Sequence, residues 1–419
     1  MNRRQLLALS GVLTGISGCI ETVKQTTSEQ ENTQEQPSEA TTETDGEADI
    51  SLTNLSIEPP SIDLGETVSI LVTAENTDET STTESITAVV DDNGVDSQTI
   101  SLSAGESTNV EFEYTPETTG TLAVSIGDLT ESLEVLATEV GGVIESDTTW
   151  TNNEGSYLIS ETVQVAKGTT LKIKPGVMVH AAAEFEDDAL FLLNGEIIAE
   201  GGSNADILID GHGTEATFFD AEGSSPAAFL SVDHCIIRDG GSFWWQGNGG
   251  FNLRNSELRN VDSSYIWYPY QDTSGEETIP RSEIHIEYNR FIKSGGFSIG
   301  HDDRYTDETI QVYIRNNIFT GWTEATYGGL INNWASYGTS ETIVESNSFL
   351  DMTDEVVLKL PAGYDDAAMI GTNNFWGTTD NSTVEQMIYD SNDDIQSAGE
   401  IPYMPILEEP DPETPQLDE

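Results

Sequence analysis

A short phrase returns through the second half of this 419-residue chain, and it constrains the fold more than any other feature. Residues 284–291 (IHIEYNRF), 312–319 (VYIRNNIF), 343–349 (IVESNSF) and 369–375 (MIGTNNF) each alternate apolar and polar positions. Each closes on Asn-x-Phe, at Asn289, Asn317, Asn347 and Asn373. Looser copies stand at 232–236 (VDHCI) and 253–258 (LRNSEL), and successive copies lie roughly 21 to 34 residues apart, a period that belongs to stacked-coil architectures. One coil cannot bury its own apolar face, so such a phrase predicts a stack. The phenylalanines Phe291, Phe319, Phe349 and Phe375 are expected to pile up inside it. The asparagines, at bends that tolerate left-handed backbone, are expected to bridge from coil to coil.

Upstream of the repeat the pattern changes twice. Residues 20–48 are Thr, Ser, Glu and Gln with almost no apolar side chains, a composition that cannot bury enough surface to fold and reads as a tether. Residues 49–137 hold short alternating runs at 50–57, 67–75, 84–90, 97–102, 107–114 and 120–126, punctuated by Pro59-Pro60, Asp92-Asn93-Gly94 and Ala104-Gly105-Glu106. That spacing predicts a small β-sandwich. From about residue 138 the strands shorten and crowd together, at 163–165, 170–173, 177–180, 190–193, 196–199 and 207–210. Beyond the last copy of the phrase, residues 383–389 predict a short helix with Asn381 or Ser382 as N-cap. The apolar strip 401–407 then closes the stack, and 409–419 form an acidic tail.

These motifs carry resemblances. Residues 168–177 (GTTLKIKPGV) and 192–201 (LLNGEIIAEG), continued by the Asn-x-Phe phrase, resemble the coils of right-handed parallel β-helix proteins of the pectate-lyase-like superfamily. Residues 52–72 resemble the opening of immunoglobulin-like domains of the cell-adhesion type. The expected fold is therefore all-β, a right-handed parallel β-helix over 138–408 preceded by an immunoglobulin-like sandwich. At the N-terminus, Arg3-Arg4, the apolar run 6–16 and Ile16-Ser17-Gly18-Cys19 resemble an export signal ending in a lipobox. The resemblance implies a signal peptide over 1–19, a lipid on Cys19 and an extracellular protein held on the membrane through that lipid. With 75 acidic against 15 basic residues, net −60, the chain resembles secreted haloarchaeal proteins, and it has no basic stripe with which to bind nucleic acid. Its other cysteine, Cys235, reads as a buried core thiol.

The β-helix fold hosts both enzymes and binders, so function must come from a site. The cluster Phe243-Trp244-Trp245 and, one coil on, Tyr265 to Tyr270 offers flat apolar rings beside Asp and Asn, which suits sugar faces and edges. Trp244, Trp245, Trp267, Tyr268 and Tyr270 are the candidate ligand-binding residues; the competing reading is a buried local core. The loop His301-Asp302-Asp303-Arg304 is the candidate catalytic cluster, with Arg304 as base or clamp and the two aspartates holding a divalent ion such as calcium, if the protein is a polysaccharide lyase or hydrolase. A solvated acidic loop is the alternative. The five histidines show no paired spacing, which predicts no metal site and no cofactor. Together these features predict a non-enzymatic, lipid-anchored surface protein that binds polysaccharide or a surface glycoprotein. The alternatives are an extracellular polysaccharide-degrading enzyme and a structural wall component.

Overall fold

Alternation of buried and exposed side chains runs through nearly every strand, and it sorts the molecule into two cores. The computed structural model describes residues 50–221, 228–246, 249–268, 283–302, 309–321, 328–352 and 354–416. The predicted signal peptide, Cys19 and the tether lie outside the described residues. The described residues are 57% strand and 2% helix, an all-β structure with long parallel sheets that fits a parallel β-helix. Among the described residues no helix is long and apolar enough to cross a membrane.

The first core is a two-sheet sandwich. Antiparallel strands Ile50–Glu58, Val68–Asn76 and Ser107–Tyr114 form one sheet; Ser61–Asp63, Leu129–Leu136, Gly120–Ile126, Thr82–Val90 and Asn93–Leu102 form the other. Val68, Ile70, Val72 and Ala74 fall on every second position, with Phe112 beside Ile70 in the same sheet, and share one core with Ile86, Val124 and Leu133 of the other sheet. The hairpin between Thr82–Val90 and Asn93–Leu102 turns through Asp91 and Asp92, both at positive φ (45° and 67°), the backbone of a tight turn whose twist matches its strands.

The second core is built coil by coil. A nine-stranded parallel sheet takes one strand per coil, from Thr148–Trp150 through Phe251–Arg254 and Ile284–Glu287 to Ala367–Ile370. Two further parallel ladders run beside it. One passes through Met178–Ala181, Ile207–Asp210, Cys235–Gly240, Glu257–Val261, Arg290–Ile292, Ile318–Thr320 and Ser348–Leu350. The other passes through Ala189–Leu193, Thr217–Ala221, Phe243–Trp245, Ser264–Tyr268, Phe297–Asp302, Ile331–Tyr337 and Leu358–Lys359. The long strand Tyr157–Val165 shifts register between Ile159 and Val163 and so feeds both ladders. With strands about 4.8 Å apart, nine coils rise about 40 Å.

The bend next to the nine-stranded sheet explains the recurring phrase. Asn289, Asn317 and Asn347 are fully buried. The Nδ2 of each donates to the Oδ1 of the next rung, at 3.0, 2.9 and 3.0 Å, the last acceptor being Asn374. The same Oδ1 atoms accept the backbone N–H of the rung before, at 2.8 to 3.0 Å. Ser256 and Cys235 extend the series, since Ser256 N–H donates to Asn289 Oδ1 and Cys235 N–H to Ser256 Oγ. The left-handed residue is not the rung itself but the one before it: His234, Asn255, Tyr288, Asn316, Ser346 and Asn373 all have φ between 48° and 61°.

The last coil departs from the expected frame. Asn374, not Asn373, is the rung, so the residue two positions on is Trp376 and not Phe375. Trp376 is fully buried and continues the column Phe291, Phe319, Phe349 at a centroid distance of 5.1 Å, whereas Phe375 is only half-buried. Phe291 and Phe319 stack at 4.5 Å and 6°, Phe319 and Phe349 at 5.4 Å and 19°. The helix Asn381–Gln386 is capped one residue earlier than expected, by Asp380, whose carboxylate accepts from Ser382 N–H. Backbone bonds from Gly371 and Asn373 to Pro402 and Pro405, and from Leu407 to Asn374, lay the strip 401–407 along the last coil and cover its open edge.

Candidate functional site

Strand pleating decides which aromatic residues face outward. On Phe243–Trp245, Ser264–Tyr268, Phe297–Asp302 and Ile331–Tyr337 the residues Phe243, Trp245, Ile266, Phe297, Ile299 and Ile331 point inward and are buried. Trp244, Tyr265, Trp267 and Trp334 point the other way and are half-buried. Register brings them into two adjacent columns. Trp244 lies opposite Tyr265, with ring centroids 4.6 Å apart, and Tyr265 lies opposite Ser298, then Asn332, then Lys359. Trp267 lies opposite Gly300, and Gly300 opposite Trp334. A Cβ on Gly300 would come within 2.1 Å of the Trp334 ring, so glycine is what lets that indole lie flat across the sheet. Tyr364 flanks it at 5.3 Å. The aromatic rows thus span four coils, about 14 Å.

Polar groups border these rings. Asp220 stands opposite Trp244 at one end, 4% exposed, and Lys359 closes the other end with its Nζ 4.6 Å from the Tyr389 ring. Ser298 and Asn332 are buried between them, with Asn332 Nδ2 donating to the Gly329 carbonyl at 2.7 Å. The indole N–H of Trp267 is buried and has no acceptor among the described residues. Flat rings with a carboxylate, an amide, a hydroxyl and an ammonium beside them can hold a ligand that has apolar faces and hydroxylated edges.

The predicted site residues separate on these grounds. Trp244 and Trp267 belong to the outward rows. Trp245 does not: it is 1% exposed and packs on Phe251 at 5.6 Å, because it shares the inward phase of Phe243. Tyr268 pairs through its backbone with His301, and its side chain, like all of Tyr270, lies outside the described residues. His301 is fully buried, in the inward phase, and its ring fills the space where a Cβ on Gly338 would fall. Burial removes His301 from any solvent-facing catalytic loop. Asp302 is half-buried opposite Tyr337, and Asp303 and Arg304 lie outside the described residues. Tyr364, Gly300, Asp220 and Asn332 were not singled out from the sequence, since only register places them beside the tryptophans.

No family model matches the chain, and no curated protein matches it either. Among solved structures, the β-glucosidase of Listeria innocua in complex with gluconolactone and the same enzyme in complex with glucose each match at 21% identity with a TM-score of 0.20. Each match covers 21% of this chain and 16% of the enzyme, so the chain spans about a sixth of those structures. At that score the likeness carries no argument about function.

A second constellation lies where the first coils meet the sandwich. His180 and Asp210 are opposite each other on adjacent strands, and Arg238 is opposite Asp210 on the next. His212 follows Asp210 by two residues at φ 49°, which turns its ring back over the preceding coil. His180 Nδ1 and His212 Nε2 are 3.3 Å apart. Asp210 Oδ2 accepts from Arg238 Nε at 2.7 Å and Nη2 at 2.6 Å, while Oδ1 accepts the His212 N–H at 2.9 Å. His180 is 2% exposed, and burial pulls its pKa down to about 4 against the opposing pull of Asp210.

Proposed function

We propose that this is an extracellular, lipid-anchored protein in which an immunoglobulin-like spacer carries a right-handed parallel β-helix that binds glycans without cleaving them. The membrane attachment is through Cys19, the partner is a polysaccharide or a surface glycoprotein, and the acidic surface suits a high-salt exterior. The observation that carries the binding reading is the pair of outward columns holding Trp244, Tyr265, Trp267 and Trp334, kept flat by Gly300 and bordered by Asp220 and Lys359. Rigid rings on sheet strands lose little conformational freedom on binding, which favours shallow recognition of extended sugars.

The test is a glycan-array screen of the purified mature chain in molar salt, followed by fluorescence titration of each hit and a reducing-end assay on the same sample. Binding that weakens at least tenfold in Trp267→Ala and in Trp334→Ala, with no new reducing ends, is the expected result. Release of chain ends would make the protein an enzyme. Absence of binding across neutral and acidic glycans would leave the wall-component reading and defeat this one.

A further inference from the structure

We propose that His180, Asp210 and His212 form a binding site for a divalent transition-metal ion of the zinc type, tying two successive coils together beside the sandwich. The three residues offer two imidazole nitrogens and a carboxylate oxygen whose ligand atoms all lie within 4.8 Å of one another. The two nitrogens are already spaced for an ion. Zinc–nitrogen bonds of about 2.05 Å meeting at a tetrahedral angle put the ligating nitrogens about 3.3 Å apart. His180 Nδ1 and His212 Nε2 are 3.3 Å apart. An ion would therefore replace the shared proton of that N···N contact with the nitrogen spacing unchanged.

The surroundings hold the ligands in place. A Cβ on Gly65 of the sandwich would fall 2.8 Å from both Cε1 and Nε2 of His180, so the ring is wedged with Nδ1 facing His212. Gly65 itself has φ 85°, a backbone that strongly favours glycine. Arg238 grips one oxygen of Asp210 with two N–H groups, and the other oxygen accepts the His212 amide, which orients the carboxylate as outer-shell partners do in metal sites. His180 and Asp210 are buried, while His212 is half-buried at the corner, which leaves a fourth position for water on the solvent side. Because His180 sits against Gly65 and its partners belong to the next coil, the ion would cross-link two coils at the point where the stack packs on the sandwich.

The experiment uses the mature chain stripped with chelator and returned to molar KCl with excess Mg2+, which occupies surface carboxylates. Titration with Co2+ should give the visible d–d absorption of a tetrahedral nitrogen–oxygen site at one ion per chain, displaced by Zn2+. Saturating Zn2+ should raise the thermal midpoint. His212→Ala, at a half-buried corner, should abolish the Co2+ band and weaken Zn2+ binding at least a hundredfold while leaving the apo-protein's midpoint within a few degrees. Asp210→Asn should weaken binding at least tenfold. The proposal is overturned if no band develops, or if His212→Ala and Asp210→Asn bind Co2+ with the same stoichiometry, affinity and spectrum as the parent.

Discussion

Replacing Asn317 by alanine tests whether the buried amide ladder holds the coils together. The Asn317 side chain is fully buried and takes part in four hydrogen bonds: Nδ2 donates to Ile286 O at 2.8 Å and Asn347 Oδ1 at 2.9 Å, and Oδ1 accepts from Asn289 N at 2.9 Å and Asn289 Nδ2 at 3.0 Å. The substitution removes all four and takes away the acceptor of the buried Asn289 amide. Each such bond contributes about 1 kcal/mol net, and a buried polar group left bare costs a further 1–3 kcal/mol or so, which puts the loss at roughly 5–7 kcal/mol. The matched control is Asn373→Gly. Asn373 belongs to the same sequence phrase but stands one residue off the ladder, at φ 56°, where glycine fits without strain. It should change stability by less than about 1 kcal/mol. Urea unfolding in molar KCl, followed by tryptophan fluorescence and far-ultraviolet circular dichroism, reads both variants. Hydrogen exchange at the Asn289 amide gives a local reading if the rod unfolds in sections. A loss below 1 kcal/mol in Asn317→Ala, or one no larger than in Asn373→Gly, would refute the ladder as a source of stability.

Other outcomes follow from the same geometry. Trp376→Ala should cost about 3–5 kcal/mol because it empties the end of the aromatic column, whereas Phe375→Ala, half-buried beside it, should cost far less in the same unfolding assay. Asp233, Arg254, Glu287, Arg315 and Glu345 form one register column of alternating charge, with Arg254 Nε 3.1 Å from Glu287. Glu200 stands opposite Asp233 on the preceding strand, so Arg254→Glu would set four carboxylates in a row. The destabilisation should be measurable in 0.1 M salt and shrink as salt rises, and a loss independent of salt would contradict it. Hydrogen bonds from the Thr383 and Ser382 side chains and the Ser382 amide hold Asp380 below the usual carboxylate range. Its capping contribution should be present above about pH 4 and disappear as pH falls through the lowered value, so Asp380→Ala and the parent should converge in stability at acid pH.

The stack was legible in the sequence because period-2 alternation runs along its strands and a fixed closing phrase returns in its later coils. What failed was phase. Asn373-Asn374-Phe375-Trp376 satisfies the phrase in two frames, and only the width of the bore, which takes the Trp376 ring, chooses between them. The same limit applies to Trp244-Trp245: alternation says that one faces in, but register with Phe219 and Ala221 on the preceding coil says which. His180 and His212 are separated by 32 residues, so no local motif joins them. Their separation is close to one coil, and in a stacked chain that interval brings residues into contact. The aromatic rows were partly visible as clustered tryptophans, but the insertions between coils vary in length and hide that Trp267 and Trp334 flank one glycine.

The amide ladder also has a direction. Asn289, Asn317 and Asn347 each donate a side-chain N–H toward the C-terminal neighbour and their backbone N–H to that neighbour's oxygen, so these interior rungs can be exchanged for one another. A whole coil duplicated between Asn289 and Asn347 would find its partners ready-made. A coil added beyond Asn374 would meet Trp376, the strip 401–407 and a rung whose Nδ2 turns back to Val344 and Gly371 instead of forward. The molecule can therefore lengthen by duplication from within, and its terminus acts as a stop that keeps identical edges from polymerising.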